Sequence, residues 1–274
     1  MIHLLCTLEP ARIAWLPQLV QHYRALGVDQ FLFSLQQEPT VDVAQREQQL
    51  ERFVEQLRAL DCAHGFSLVA PFDVWAVRDQ HARLQAKYVA PQDWVVWCDS
   101  DEFQVYPGGL QAFTAECDSK GIEFLRGVFI DRIAADGGLP PFDPAQPIWG
   151  QFPLCCNVTA LLAKAETRKV VLSRGYVRLD VGHHWPLGSG AYTSARGWVQ
   201  IHHFKWHADV IRSLNFRIQP EWKAKCSWWT ESQRLLDYFT AHGGRFSLAD
   251  LQTIPLNGTQ LMQIASAPDP TYLA

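Results

Sequence analysis

Across its first hundred residues the chain alternates between short apolar runs and longer amphipathic ones, and this alternation restricts the fold more than any other feature. Ile2–Leu8 (IHLLCTL) reads as a buried strand, and residues 16–26 as a helix that admits Pro17 in its first turn and stops at Gly27. Residues 28–34 (VDQFLFS) read as a second strand. Residues 43–60 read as a second helix, with Leu50, Phe53, Val54 and Leu57 at helical spacing. A third strand at 66–69, a third helix at 77–88 and a fourth strand at 94–98 (WVVWC) continue the pattern. Strands separated by helix-length segments return to the same end of the sheet, so they run parallel. The expected class is α/β: a mostly parallel sheet with helices on both faces.

The fourth strand raises the functional question, because Asp99, Asp101 and Glu102 follow Cys98 with no linker between core and charge. In such sheets ligands bind outside the carboxyl ends of the strands, where loops are open and helix N-termini point inward. Two aspartates at i and i+2 just past a strand can direct both carboxylates toward one point, which suits a divalent cation held by oxygen. Carboxylates with retained waters suit Mg²⁺ or Mn²⁺, and Mg²⁺ usually completes its shell with substrate phosphates. For so short a motif the alternative is an acidic turn whose side chains cap the next segment.

The second half changes character. A strand at 124–130 leads into the Gly- and Pro-rich ADGGLPPFDPAQPIWGQFP, then strand-like runs at 157–162, 169–172, 176–181 and 198–204, and helical material over 208–241. The spacing of these runs suggests antiparallel additions. No repeat, linker or composition shift marks a boundary, so one domain spanning 1–274 is expected. A formal net charge of -4 supplies no basic field for nucleic acid or an anionic membrane. Seven cysteines without a C-x-x-C argue against a disulfide framework and a structural zinc, and fit reduced thiols in a cytoplasm. MIHLLCTLEP lacks the basic start and long apolar core of a signal peptide. The longest uncharged stretch, 145–163, is broken by Pro147, Gly150 and Pro153, so no transmembrane segment is expected.

Three stretches together resemble the GT-A glycosyltransferases, in particular family-2-like and family-92-like members. The first is the D-x-D-E-F run Asp99, Ser100, Asp101, Glu102, Phe103. The second is LPQLVQHYRALGVDQFLF, with His-Tyr and Leu-Gly-Val ahead of the second strand. The third is GVFIDRIAADG with the later RKVVLSRGYVRLDVGHHWP. The resemblance covers most of the chain. It implies a GT-A, Rossmann-like sheet, a nucleotide-sugar-binding half over 1–103, an acceptor half with C-terminal helices over 104–274, and Mn²⁺ or Mg²⁺ on the donor's diphosphate. There are departures: the family's asparagine-glutamate after the first strand appears only as Thr7-Leu8-Glu9, and its acidic turn after the second strand is replaced by Gln36, Gln37 and Glu38.

The resemblance also implies a third metal ligand from a histidine on a late strand, and His203 before Phe204 matches that pattern better than His202. Neighbouring strand residues face opposite ways, so only one of the two can point into a site. Lys205 shares the side of His203 and could reach a diphosphate. His183 and His184 are the rival pair, and for each pair the alternative is a set of ordinary strand histidines. Asp131 is the candidate general base and Arg132 a candidate donor contact, unless the two simply pair with each other; Asp180 is a weaker base candidate. Gln80, with Arg78 and Arg83 on the third helix, is a candidate donor contact or a solvated face. Trp228 and Trp229 are candidates for sugar stacking or for core packing. The activity implied is transfer of a sugar from a nucleoside diphosphate sugar to a carbohydrate or glycan hydroxyl in bacterial glycan synthesis. Rivals are a catalytically silent GT-A-fold binding protein and a nucleotidyltransferase, although CTLEPARIAW lacks the glycines of a nucleotidyltransferase phosphate loop.

Overall fold

A computed structural model of the chain describes residues 1–106, 108–225, 227–251 and 254–255. Strand β1 (Ile2–Leu8) is followed by a 3₁₀ segment, Pro10–Trp15, and then by α1 (Leu16–Ala25). Next come β2 (Gln30–Gln37), α2 (Val43–Ala59), β3 (His64–Val69), α3 (Val74–Tyr88) and β4 (Trp94–Trp97). Strand β1 pairs in parallel with β2 and with β4, and β2 with β3, giving the order β3-β2-β1-β4. The mixed α/β class with a mostly parallel sheet flanked by helices is therefore as expected. The first three strands build outward in one direction, and β4 then joins the other side of β1. The carboxyl ends of β1 and β4 thus flank the point where the strand order reverses, the usual ligand crevice of such sheets.

Local chemistry explains the element starts. Asp42 accepts from Gln45 N (3.2 Å) at the head of α2, and Asp73 accepts from Trp75 N (2.8 Å) at the head of α3. Gly65 on β3 lets α2 approach closely, since a Cβ there would lie 2.5 Å from Leu57 Cδ1 and would push that side chain aside.

The chain divides into two compact units, Met1–Gly127 with Arg168–Val199, and Val128–Thr167 with the described part of Gln200–Ala274. Three elements unread in the sequence or longer than expected follow β4: β5 (Glu102–Val105), α4 (Leu110–Ser119) and β6 (Phe124–Ile133), the last passing from the first unit into the second. Strand β8 (Arg168–Arg174) pairs antiparallel with β4 in the first unit, whose core gathers Leu5, Leu32, Val95, Trp97, Phe124 and Val170.

The second unit holds α5 (Ile148–Gln151) and β7 (Leu154–Cys156), the latter antiparallel to β6 and to β10 (Ile254–Pro255). Strand β9 (Ser194–His203) enters it, and α6 (Val210–Arg217), α7 (Pro220–Lys223) and α8 (Trp229–Ala241) follow. Its core gathers Ile133, Val158, Trp206, Leu214, Leu235 and Phe239.

Several sequence expectations need correction. Residues 157–162 are not a strand: Thr159 N and Oγ1 both donate to Asp131 (2.6 and 2.8 Å), which turns the chain into a π-helical turn, Thr159–Ala163. Residues 176–181 are not a strand either. Gly175 packs against Ala90 O, where a Cβ would stand 2.1 Å away, and the chain continues as turns with a single bridge, Leu179 to Pro186. Asp180 therefore caps a 3₁₀ turn, Val181–His183, and is not a strand residue. Asp131 and Arg132 lie within β6, not beyond its end.

Six cysteines (Cys6, Cys62, Cys98, Cys117, Cys155, Cys156) are free and buried, and Cys226 lies outside the described residues. Among the described residues no helix is long and apolar enough to cross a membrane.

Candidate functional site

The acidic stretch forms a tight turn between β4 and β5, closed by Glu102 N donating to Asp99 O (3.0 Å). Glu102 is only 1% exposed, and one of its oxygens accepts from Asp99 N (3.0 Å). Its other oxygen meets Lys169 Nζ at 2.8 Å, and the same ammonium donates to Asp99 at 2.6 Å. The pairing follows from the sheet. Strands β4 and β8 pair Trp94 with Arg174, Val95 with Ser173 and Val96 with Leu172, and continuing that register sets Lys169 opposite Asp99. Asp101 takes a second cation, Arg12 Nη2, at 3.3 Å.

Charge on the turn is held in place by this pairing. Desolvation opposes ionisation of Asp99, although its side chain is 56% exposed, and the Lys169 ammonium outweighs that and keeps the carboxyl well below the usual carboxylate range. Burial likewise opposes the charge on Lys169, yet Asp99 and Glu102 raise its pKa above that of an ordinary lysine. Helix α1 braces the far side of the turn. Tyr23 OH donates to Glu102 O (2.9 Å) and accepts from Gln104 N (3.2 Å), while a His22 ring nitrogen meets Gln104 O (2.8 Å). The His-Tyr pair noted in the sequence thus clamps the start of β5.

Behind the turn lies a buried imidazole pair. His81 on α3 contacts Thr7 Oγ1 (2.7 Å) through Nε2 and His183 Nε2 (2.9 Å) through Nδ1. The Trp97 ring lies 5.0 Å from the His183 ring. Burial holds His81 down to about 4 and His183 well below its ordinary value, with Lys169 adding to both, so the pair is neutral at pH 7. On the same helix Arg78 pairs with Asp79 (2.8 Å) and Asp180 (3.6 Å), Gln80 is half-buried and Arg83 is exposed. His184 contacts Arg168 O through Nδ1 (2.8 Å).

In the second unit Asp131 is a hub. It is 1% exposed and accepts from Thr159 N (2.6 Å), Thr159 Oγ1 (2.8 Å) and Trp206 Nε1 (2.8 Å), with His203 Nδ1 at 3.2 Å. A carboxylate only accepts, so His203 Nδ1 is the donor in this contact. His202 is fully buried, beside Gln200 Oε1 (3.1 Å). Arg132 does not pair with Asp131. It is buried and donates to Phe152 O (2.9 Å) and Cys155 Sγ (2.9 Å), with its guanidinium over the Trp149 and Phe204 rings. Trp149 is half-buried and meets His202 and Phe204 edge-on. The Lys205 ammonium lies over Trp206, Trp228 precedes α8, and Trp229 opens it under Lys223.

Within the first unit, Asp99 and Asp101 are brought together on one turn, each already facing a cation. Sequence reading missed both cations. A lysine inside the apolar run of β8 was the available signal for Lys169, since a buried ammonium requires a counterion; Arg12 had no signal beyond its place after the first strand. A carboxylate offers about four lone-pair sites, so one bond to Lys169 or Arg12 does not exhaust it. Among the described residues no three His, Cys, Asp or Glu side chains gather as a protein cage for a metal. The donor set fits Mg²⁺ or Mn²⁺ only in the form where two carboxylates are supplemented by water and ligand phosphates.

No protein-family model matches the chain. No curated protein matches it either. Similar solved structures include a mycobacterial protein (13% identity, 74% of this chain and 65%, under two thirds, of that one, TM-score 0.36). They also include glucosyl-3-phosphoglycerate synthase from Mycobacterium tuberculosis with Mg²⁺ and uridine diphosphate (14% identity, 93% and 87% covered, TM-score 0.38). A third is UDP-glucose pyrophosphorylase with UDP-glucose (9% identity, 97% of each chain covered, TM-score 0.27). These are distant likenesses, and the α/β class of this chain stands on its own strand order and register.

Proposed function

We propose that the chain is a GT-A glycosyltransferase that moves a sugar from a nucleoside diphosphate sugar to a carbohydrate or glycan hydroxyl, as the sequence resemblance implies. The observation that carries the reading is the position of the acidic turn, which ends β4 beside the carboxyl end of β1 where the strand order reverses. Asp99 and Asp101 would hold Mn²⁺ or Mg²⁺ together with the donor's phosphates, and the ion's chemistry there is neutralisation of charge on the departing diphosphate. Lys169 serves that role indirectly: it keeps Asp99 ionised and the buried Glu102 compensated, so the turn keeps its shape between turnovers.

His203 as a further ligand of the cation, and Lys205, Gln80 and Arg132 as donor contacts, are proposals that rest on the resemblance. Asp131 as general base is another, and it carries a condition. With Thr159, Trp206 and His203 already on its carboxylate, it must release one of those bonds to take a proton from an acceptor.

The test is a thermal-shift and calorimetric panel of nucleoside diphosphate sugars with Mn²⁺ and with chelator. The expected result is one nucleoside diphosphate sugar that binds in a metal-dependent way and, when an acceptor is added, passes its sugar to the acceptor hydroxyl and leaves as free nucleoside diphosphate. Absence of metal-dependent binding across the panel refutes the reading, and binding without any transfer or hydrolysis refutes the enzyme.

A further inference from the structure

The cations on the acidic turn are unequal. Lys169 is fixed, with contacts of 2.6 and 2.8 Å from a β-strand. Arg12 belongs to the short 3₁₀ segment after β1, and its ion pairs are long: 3.3 Å from Nη2 to Asp101 and 3.6 Å from Nε to Glu9, whose carboxylate is 54% exposed. The residue is 8% exposed, the guanidinium lies 4.4 Å over the Trp15 ring, and Nη1 is enclosed without a hydrogen-bond acceptor. An enclosed cationic N–H lacking an acceptor is costly, and a planar guanidinium with unused donors matches a phosphate group bidentately.

We propose that Arg12 is the phosphate ligand of this site, exchanging its long contact with Asp101 for a phosphate of the incoming diphosphate. The proposal rests on the nucleotide-diphosphate reading and adds a residue and an order to it. Arrival of the anion at Arg12 removes the Arg12 contact from the Asp101 carboxylate, leaving more of it for the cation, while Lys169 stays with Asp99 and Glu102. Arg12 also offsets the repulsion that three acids would otherwise exert on a phosphate at the carboxyl end of β1.

The test uses inorganic pyrophosphate with chelator present, at constant ionic strength, on the full chain and on Arg12→Met and Arg12→Lys. Pyrophosphate is expected to stabilise the wild type, and Arg12→Met to bind it about 10-fold or more weakly, the range for one charge-assisted contact. Arg12→Lys, which keeps the charge but not the fork, is expected to fall between them. Melting curves without ligand establish that the variants fold, and Arg12→Lys decides the matter if Arg12→Met does not. A wild type indifferent to pyrophosphate, or variants that bind it as tightly as the wild type, overturns the proposal. A nucleotide panel on the same proteins separates the two ideas. Nucleotide binding unchanged in Arg12→Met leaves the transferase reading and removes Arg12, whereas Arg12-dependent pyrophosphate binding without any nucleotide binding does the reverse.

Discussion

Replacing Lys169 by methionine tests the electrostatics of the turn most directly. The ammonium is 3% exposed and serves two carboxylates of unlike setting, Asp99 with a side chain 56% exposed and Glu102 with one 1% exposed. Methionine fills a similar volume, so the loss is chiefly of charge. Asp99 can be resolvated, and its share is small, as for exposed pairs generally. Glu102 cannot, and removing one partner of a buried pair costs about 3–5 kcal/mol. For a chain of this size that corresponds to a fall of roughly 6–20 °C in Tm, at ~2–4 °C per kcal/mol. Urea unfolding of the wild type, Lys169→Met, Glu102→Gln and the double variant forms a cycle that isolates the pair. The double variant is expected to regain most of the stability lost in Lys169→Met, because no buried charge is left without a partner. A single variant that costs under ~1 kcal/mol, or a double variant no more stable than Lys169→Met, would refute the reasoning.

Three further outcomes follow from particular side chains. A base whose pKa falls on folding is protonated first in the unfolded chain, so His81, held at about 4, makes stability drop as pH falls from about 6.5 toward 4. The loss is on the order of 3 kcal/mol, and an unchanged pH slope in His81→Gln unfolding curves would contradict it. Asp101→Ala is expected to remove metal-dependent nucleotide binding, by about 100-fold or more, with Tm within a few degrees of the wild type; calorimetry with Mn²⁺ checks this. Trp149, packed edge-on against His202 and Phe204 under the Arg132 guanidinium, is expected to act as an anchor, so that Trp149→Ala lowers stability by about 2 kcal/mol; a Tm unchanged within a degree would show otherwise.

Periodicity alone determined the repeating part of this protein. Hydrophobic spacing located β1 to β4 and the three helices between them, because those elements are set by local pattern and by the need to bury one face. From the same pattern came the position of Asp99 and Asp101 past the fourth strand. The second half was less legible, since its course depends on single contacts between residues distant in sequence. Two bonds from Thr159 to Asp131 replace an expected strand with a π-helical turn, and the close approach of Gly175 to Ala90 ends another.

The candidate site divides in the same way. Its three acids fall within four positions and are visible, but the cations that make their density tolerable lie 87 residues before Asp99 and 70 after it, at Arg12 and Lys169. Charge compensation acts through space. Only the parallel pairing of β1 with β4 and the antiparallel pairing of β4 with β8 bring those partners to the turn.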